Sequence, residues 1–223
     1  VILRAAELPE SWFRTSLVKP GTVLGCLRPD IAAKVGYDAT VILPATHDTG
    51  SAYMAVPAKD DRAAFLSSGT WSLLGTELRQ PITGQAALEA GFTNEGGYDG
   101  TTRFLKNIMG MWMLQCIHAE TGKAHTFAEM ADMAAASTYP AWVDAADNRF
   151  LAPESMLDEV KAALREQGAP EPDGLGDIIR AVTLGLAACY KKAIAEMETL
   201  TGMRFTSLNI VGGGSQNVTL NRL

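Results

Sequence analysis

The chain has 223 residues, 47% of them hydrophobic, with 19 lysines and arginines against 25 aspartates and glutamates, a formal net charge of −6. That length can bury a full core and holds one large domain or two modest ones. The acidic balance argues against a nucleic-acid partner, because no basic stripe exists to neutralise phosphates. The longest apolar run, about residues 181–187, falls far short of a membrane span.

Cys26, Cys116 and Cys189 are odd in number, far apart and without CxxC or ligand spacing. Buried free thiols in a reducing cytosol are expected, not a disulfide frame or a zinc site. No signal-peptide pattern precedes the first polar residues, which fits a cytoplasmic protein. The chain opens on Val1 and closes at Asn221-Arg222-Leu223, inside a helix that has only begun, so a piece of a longer protein is expected.

In chain order, residues 1–39 read as loop-rich, punctuated by Leu8-Pro9, Pro20-Gly21 and a short helix from Pro29 closed by Gly36. Thr40-Val41-Ile42-Leu43 reads as a buried strand that ends in the polar turn Thr46-His47-Asp48-Thr49 and a helix stopped by Pro57. The stretch Pro57–Arg62 is the best hinge, which predicts domains at 1–58 and 59–223. Ala63–Ser68 and Trp71–Gly75 flank Gly69-Thr70 as a hairpin, and Gly91–Glu95 with Thr101–Phe104 suggests a second. Helices are expected over Ile108–Thr121 and His125–Ser137, the latter with Phe127, Met130, Met133 and Ala134 on its inner face, and from Ser155 to Gly168. A long helix over about Gly176–Leu200, roughly 36–40 Å in length, turns Ile178, Val182, Leu186, Cys189 and Met197 inward. Thr206–Val211 then reads as a buried strand, Gly212–Ser215 as a loop, and Gln216 opens a helix. Strands mixed with long helices give an α/β layout.

Four places could carry chemistry. Asp48 stands at a strand end beside helix N–H groups, where ligands collect in open α/β sheets; the plainer reading is a helix cap. Ser67-Ser68-Gly69-Thr70 offers hydroxyls and turn N–H groups suited to phosphate oxygens, or is an ordinary solvated hairpin. Gly212-Gly213-Gly214 lets a flat ligand approach the backbone before a helix N-terminus, or is a tight turn; it matches neither a dinucleotide fingerprint nor a P-loop. Asn107 and Gln115, eight residues apart near and along one helix, would be about 80° apart and roughly 12 Å apart in height. From spacing alone, a polar helix face with no ligand is the better reading. Trp71 and Trp112 read as core residues, and His118 and His125 as solvent-facing.

The order of these parts resembles the actin-like ATPase (ribonuclease H-like) architecture of sugar kinases. The wording is closer still. Ala45-Thr46-His47-Asp48-Thr49, Leu66-Ser67-Ser68-Gly69-Thr70-Trp71-Ser72, Phe92-Thr93-Asn94-Glu95-Gly96-Gly97, Leu105-Lys106-Asn107-Ile108-Met109-Gly110 and Ile210-Val211-Gly212-Gly213-Gly214-Ser215-Gln216-Asn217 resemble the FGGY carbohydrate kinases over nearly the whole chain. The resemblance implies transfer of the γ-phosphoryl group of ATP to a ketose hydroxyl, that of L-rhamnulose in the first place, with L-fuculose or L-xylulose as alternatives. It implies Asp48 as the catalytic aspartate, with His47, Thr49 and Asn107 at the sugar. Thr70, Gln115 and Gly213 would meet ATP, with Gly212 and Gly214 in support, and magnesium would accompany the nucleotide. It further implies that the family's amino-terminal half and carboxyl-terminal tail are missing, so that residues 1–223 alone are inactive. A non-catalytic nucleotide switch on the same scaffold is the rival reading.

Overall fold

The computed structural model describes residues 2–13, 15, 16, 18–45 and 47–223, so Thr46 of the polar turn lies outside the described residues. The chain divides into two compact units, 1–51 and 52–223. The division falls seven residues before the hinge expected at Ala58/Lys59.

The first unit is small. It contains α1 (Ile2–Ala5), β1 (Val23–Cys26), α2 (Pro29–Val35), β2 (Thr40–Ile42) and the start of α3 (Asp48–Ala55). Pro29 sits in the first turn of α2, and Gly36 ends it in the left-handed region at φ 83°, as the residue types require. The expected buried strand is short and open instead: β2 pairs antiparallel with β1 alone among the described residues, and Thr40 and Ile42 are exposed. A two-stranded ribbon has no second layer to cover its apolar side chains.

In the second unit, alternation along β3 (Ala63–Ser68) sets the frame. Ala64 and Leu66 enter the main core, whereas Ala63 and Phe65 join Tyr53 and Val56 in a smaller cluster, the period-2 pattern of a strand covered on both faces. The Tyr53 hydroxyl donates to Phe65 O at 3.3 Å and Leu73 O at 3.2 Å, and its ring stacks on Phe65. These contacts tie the second half of α3 to the sheet. They account for a division inside α3 and not at Pro57, which only stops the helix.

The hairpin β3–β4 (Trp71–Leu78) and the hairpin β5 (Phe92–Gly96)–β6 (Thr102–Met109) form as read, with the five-residue helix α4 (Gln85–Glu89) between them. A final strand, β7 (Ser207–Val211), runs parallel to β3 and completes the order β5-β6-β4-β3-β7. β7 is therefore an edge strand, only partly covered and with Leu208 exposed, and not the buried strand the sequence suggested.

Between β6 and β7 lie α5 (Trp112–Glu120), α6 (Phe127–Ala136), α7 (Met156–Glu166) and α8 (Leu175–Thr201); α9 (Val218–Arg222) closes the chain. α8 carries the buried positions Ile178, Val182, Leu186 and Met197, and Gly202 ends it at φ 68°. It meets the sheet through Tyr190, whose hydroxyl lies 2.6 Å from Ser72 Oγ, and through a Lys106–Glu196 ion pair at 2.8 Å. None of the three free cysteines is fully buried: Cys26 is exposed, and Cys116 and Cys189 are half-buried.

Candidate functional site

The tip of the β3–β4 hairpin is fixed by what it caps. Gly69 N–H donates to Trp71 O across the tip at 3.0 Å, while Gly69 O and Thr70 O accept from Met111 N–H at 2.9 Å and Trp112 N–H at 3.1 Å. Two orphan donors at the start of α5 are thereby satisfied by backbone. Gly110 makes the approach possible, because a Cβ there would come within 2.7 Å of both Gly69 O and Ser72 Oγ. The sequence reading gave Gly110 no role.

Thr70 Oγ1 donates to Gln115 Oε1 at 3.2 Å, so two of the singled-out residues meet. Gln115 in turn lines a cavity of ≈ 340 Å³ together with Gly69, Met111, Phe127, Gly213 and Gly214. Ala128, Ala131, Gln216 and Asn217 complete the wall, and none of these side chains is charged. Phe127 was expected on the inner face of its helix. It is 47% exposed at the cavity, its ring 4.5 Å from that of His118, which is half-buried and not solvent-facing.

The three glycines do different work. Gly212 adopts φ 85° and a Cβ there would meet Ser68 O at 2.7 Å, while a Cβ at Gly214 would lie 1.9 Å from Ser68 Oγ. Both are needed for the loop to close on β3. A Cβ at Gly213 would meet nothing within 4 Å, and its φ is not positive. It faces the cavity free of any packing demand. The same closure buries Ser68, so this hydroxyl is covered and not presented at the tip as the sequence reading supposed.

Asn107 lies elsewhere. The expected helix from Ile108 does not form: β6 runs to Met109 with Asn107 opposite Leu73, and α5 begins at Trp112. Ladder pairing with β4 outweighs the helical reading of a short apolar run that fits both periods. Asn107 is exposed and lines a second cavity, ≈ 400 Å³, with Trp71 and Trp142. Trp71 is 47% exposed, so it is no core residue, whereas Trp112 is half-buried with its indole N–H donating to Phe150 O at 3.1 Å.

In the first unit, His47 and not Asp48 caps α3. His47 Nδ1 accepts from Gly50 N–H at 3.3 Å, and Asp48, in the first turn, accepts from Thr49 N–H at 2.6 Å. The Asp48 side chain is 98% exposed and Thr49 is buried. The Asn94 amide, in the Phe92–Gly97 segment that resembles the family, is a brace: it accepts from Ile82 N–H and donates to Ile82 O.

A profile of the C-terminal domain of the FGGY family of carbohydrate kinases matches residues 64–223. The chain belongs to the FGGY family. Among FGGY relatives, the rhamnulokinase of Oceanobacillus iheyensis is 44% identical over 204 residues, covering 92% of this chain and 43% of its own. That of Klebsiella pneumoniae is 42% identical over 222 residues, covering all of this chain and 44% of its own. The chain thus spans less than half the length of these relatives. Solved structures agree on the fold. The xyloylose kinase from Brucella ovis superposes with a TM-score of 0.67 at 19% identity, over 98% of this chain and 44% of that one. The gluconate kinase from Lactobacillus acidophilus gives 0.65 at 16%, with the same coverage. The architecture is the actin-like ATPase fold of FGGY sugar kinases.

Proposed function

We propose that the chain is the nucleotide-binding half, with the edge of the sugar-binding half, of a cytoplasmic kinase that transfers the γ-phosphoryl group of ATP to the 1-hydroxyl of L-rhamnulose. The observation that carries the proposal is the ≈ 340 Å³ cavity where Gln115, Gly213 and Gly214 meet. An uncharged wall with an aromatic ring and side-chain-free peptides suits a flat, neutral base. Thr70, hydrogen-bonded to Gln115, then stands on the phosphate side. The similarity to proteins named rhamnulokinase, at 41–44% identity, supports L-rhamnulose over other ketoses. No described helix is long and apolar enough to cross a membrane.

Phosphoryl transfer through a loose transition state is mostly positioning and charge neutralisation. The sugar hydroxyl oxygen bonds to the γ-phosphorus as the bridging P–O bond to ADP breaks, and the hydroxyl proton passes to Asp48. With its side chain exposed and one oxygen held by Thr49 N–H, Asp48 keeps the other oxygen for that hydroxyl. The family resemblance supports His47, Thr49 and Asn107 as further residues for the sugar. Among the described residues no group of three or more His, Cys, Asp or Glu side chains could hold a metal ion. Magnesium is proposed to arrive with ATP, which itself supplies phosphate oxygens as ligands.

The test is ADP release by the full-length protein on L-rhamnulose, L-fuculose and L-xylulose. L-Rhamnulose is expected to give the highest kcat/KM, and Asp48→Asn to lower turnover by about 10²–10⁴-fold with ATP affinity kept. Preference for another ketose, or turnover near the parent rate in Asp48→Asn, contradicts the assignment.

A further inference from the structure

Three loops wall the nucleotide-type cavity: the hairpin tip through Gly69, the β6–α5 turn through Met111, and the glycine loop through Gly213 and Gly214. Glycines stand where these loops meet, at Gly69, Gly110, Gly212 and Gly214, so backbone approaches backbone there with few side chains to fix the spacing. Three buried hydroxyls lie beneath. Ser68 and Ser72 are opposite each other in the β3–β4 ladder, the last pair before the tip, and Tyr190 reaches them from α8. The three residues are 1%, 0% and 7% exposed.

Each serine packs under a different part of the cavity frame. A Cβ at Gly110 would lie 2.7 Å from Ser72 Oγ, which places Ser72 under the β6–α5 turn. A Cβ at Gly214 would lie 1.9 Å from Ser68 Oγ, which places Ser68 under the glycine loop. The Tyr190 hydroxyl meets Ser72 Oγ at 2.6 Å. Ser68 Oγ makes no hydrogen bond among the described residues, and a buried hydroxyl in that state costs stability. It still bears on the phenol: burial raises the Tyr190 pKa, and Ser72 and then Ser68 act to lower it.

We infer that Tyr190 is a positioning residue of the nucleotide site: through Ser72 and Ser68, its hydroxyl holds the hairpin tip, the β6–α5 turn and the glycine loop at the spacing that ATP requires. The inference rests on the nucleotide reading of the cavity given above. Tyr190 does not line that cavity, so it acts through the loops above it. α8 gives it a firm base, because Leu186, Ala193 and Met197, within about two helical turns, are buried in the main core. A group carried on a packed helix fixes a site more precisely than a loop does. The partnerless hydroxyl under Gly214 fits a site where placement is kept at a cost in stability.

The experiment measures KM for ATP, KM for the preferred ketose and the melting temperature of the full-length protein. Tyr190→Phe should raise KM for ATP about five-fold and leave KM for the ketose unchanged. Ser68→Ala should raise KM for ATP by a similar factor without lowering the melting temperature, since the hydroxyl it removes has no partner. Tyr139→Phe is the control. That buried phenol donates to Pro170 O, and neither residue lines the cavity, so the variant should lose stability and keep both KM values. A merely structural role for Tyr190 would reduce the folded fraction and lower Vmax alone. KM for ATP unmoved in both Tyr190→Phe and Ser68→Ala, or raised as much in Tyr139→Phe, overturns the inference. Gly213→Val separates the two possible failures. If it raises KM for ATP while Tyr190→Phe and Ser68→Ala do not, this inference falls alone. If it too leaves KM for ATP unmoved, the nucleotide reading falls with it.

Discussion

Tyr190→Phe removes one buried hydroxyl. Ser72 is fully buried, and its hydroxyl meets the Tyr190 hydroxyl at 2.6 Å. Burial pushes the phenol pKa up, and the bond to Ser72 opposes this only in part. The variant keeps the ring and strands Ser72 Oγ, so it should lose about 1–3 kcal/mol in urea unfolding. The glycine loop divides in the same way. Gly214→Ala places a methyl 1.9 Å from Ser68 Oγ and 2.7 Å from its Cβ, which should cost about 1–3 kcal/mol by overpacking and show as a lowered urea midpoint. Gly213→Ala meets nothing within 4 Å and should fold like the parent.

At the scale of elements, α6 depends on its cap. Thr126 Oγ1 accepts from Glu129 N–H at 3.2 Å, and the Glu129 carboxylate accepts from Thr126 N–H at 2.6 Å. Thr126→Ala should cost about 1 kcal/mol. The Thr126 backbone N–H, then its hydroxyl, hold the Glu129 carboxyl below its ordinary value of 4.5. Because the folded-state value is the lower one, the stability Glu129 adds is fully present above about pH 4.5. It is lost as pH falls through the depressed value. The difference in urea midpoint between the parent and Glu129→Ala should therefore shrink on acidification from pH 6 to pH 3.

Such local signals explain what was legible. The Ser155–Asp158 start of α7, the glycine at the end of α8 and the Gly69-Thr70 hairpin are each set by neighbours in sequence, and each formed as read. The strand at Asn107–Met109 was read as helix because its fate is decided by β4, over thirty residues away. Likewise β7 looked buried by composition, yet its place at the sheet edge depends on which strand it joins. Of the cavity wall, the glycine loop was singled out by its three glycines, and Gln115 and Gly213 by the family resemblance. Phe127 and Met111 were not, since an aromatic or methionine at helical spacing signals core as readily as a cavity wall. Glu120 gave no signal at all: its carboxylate accepts from Met156 and Leu157 N–H at the start of α7, at 2.6 Å and 3.1 Å.

For the whole molecule, the residues that line the nucleotide cavity all lie in the unit 52–223. The chain spans less than half the length of the rhamnulokinase relatives, and the cavity forms within that part. The chain alone should therefore bind ATP and show no sugar-stimulated hydrolysis. Most direct is a calorimetric titration of ATP into this chain and into Gly213→Val, with melting curves beside it. The parent should bind, and the valine, standing in open space at the cavity, should weaken ATP by at least roughly ten-fold (~1.4 kcal/mol) without lowering the melting temperature. No binding by the parent, or equal binding by Gly213→Val, would contradict a nucleotide site at this loop.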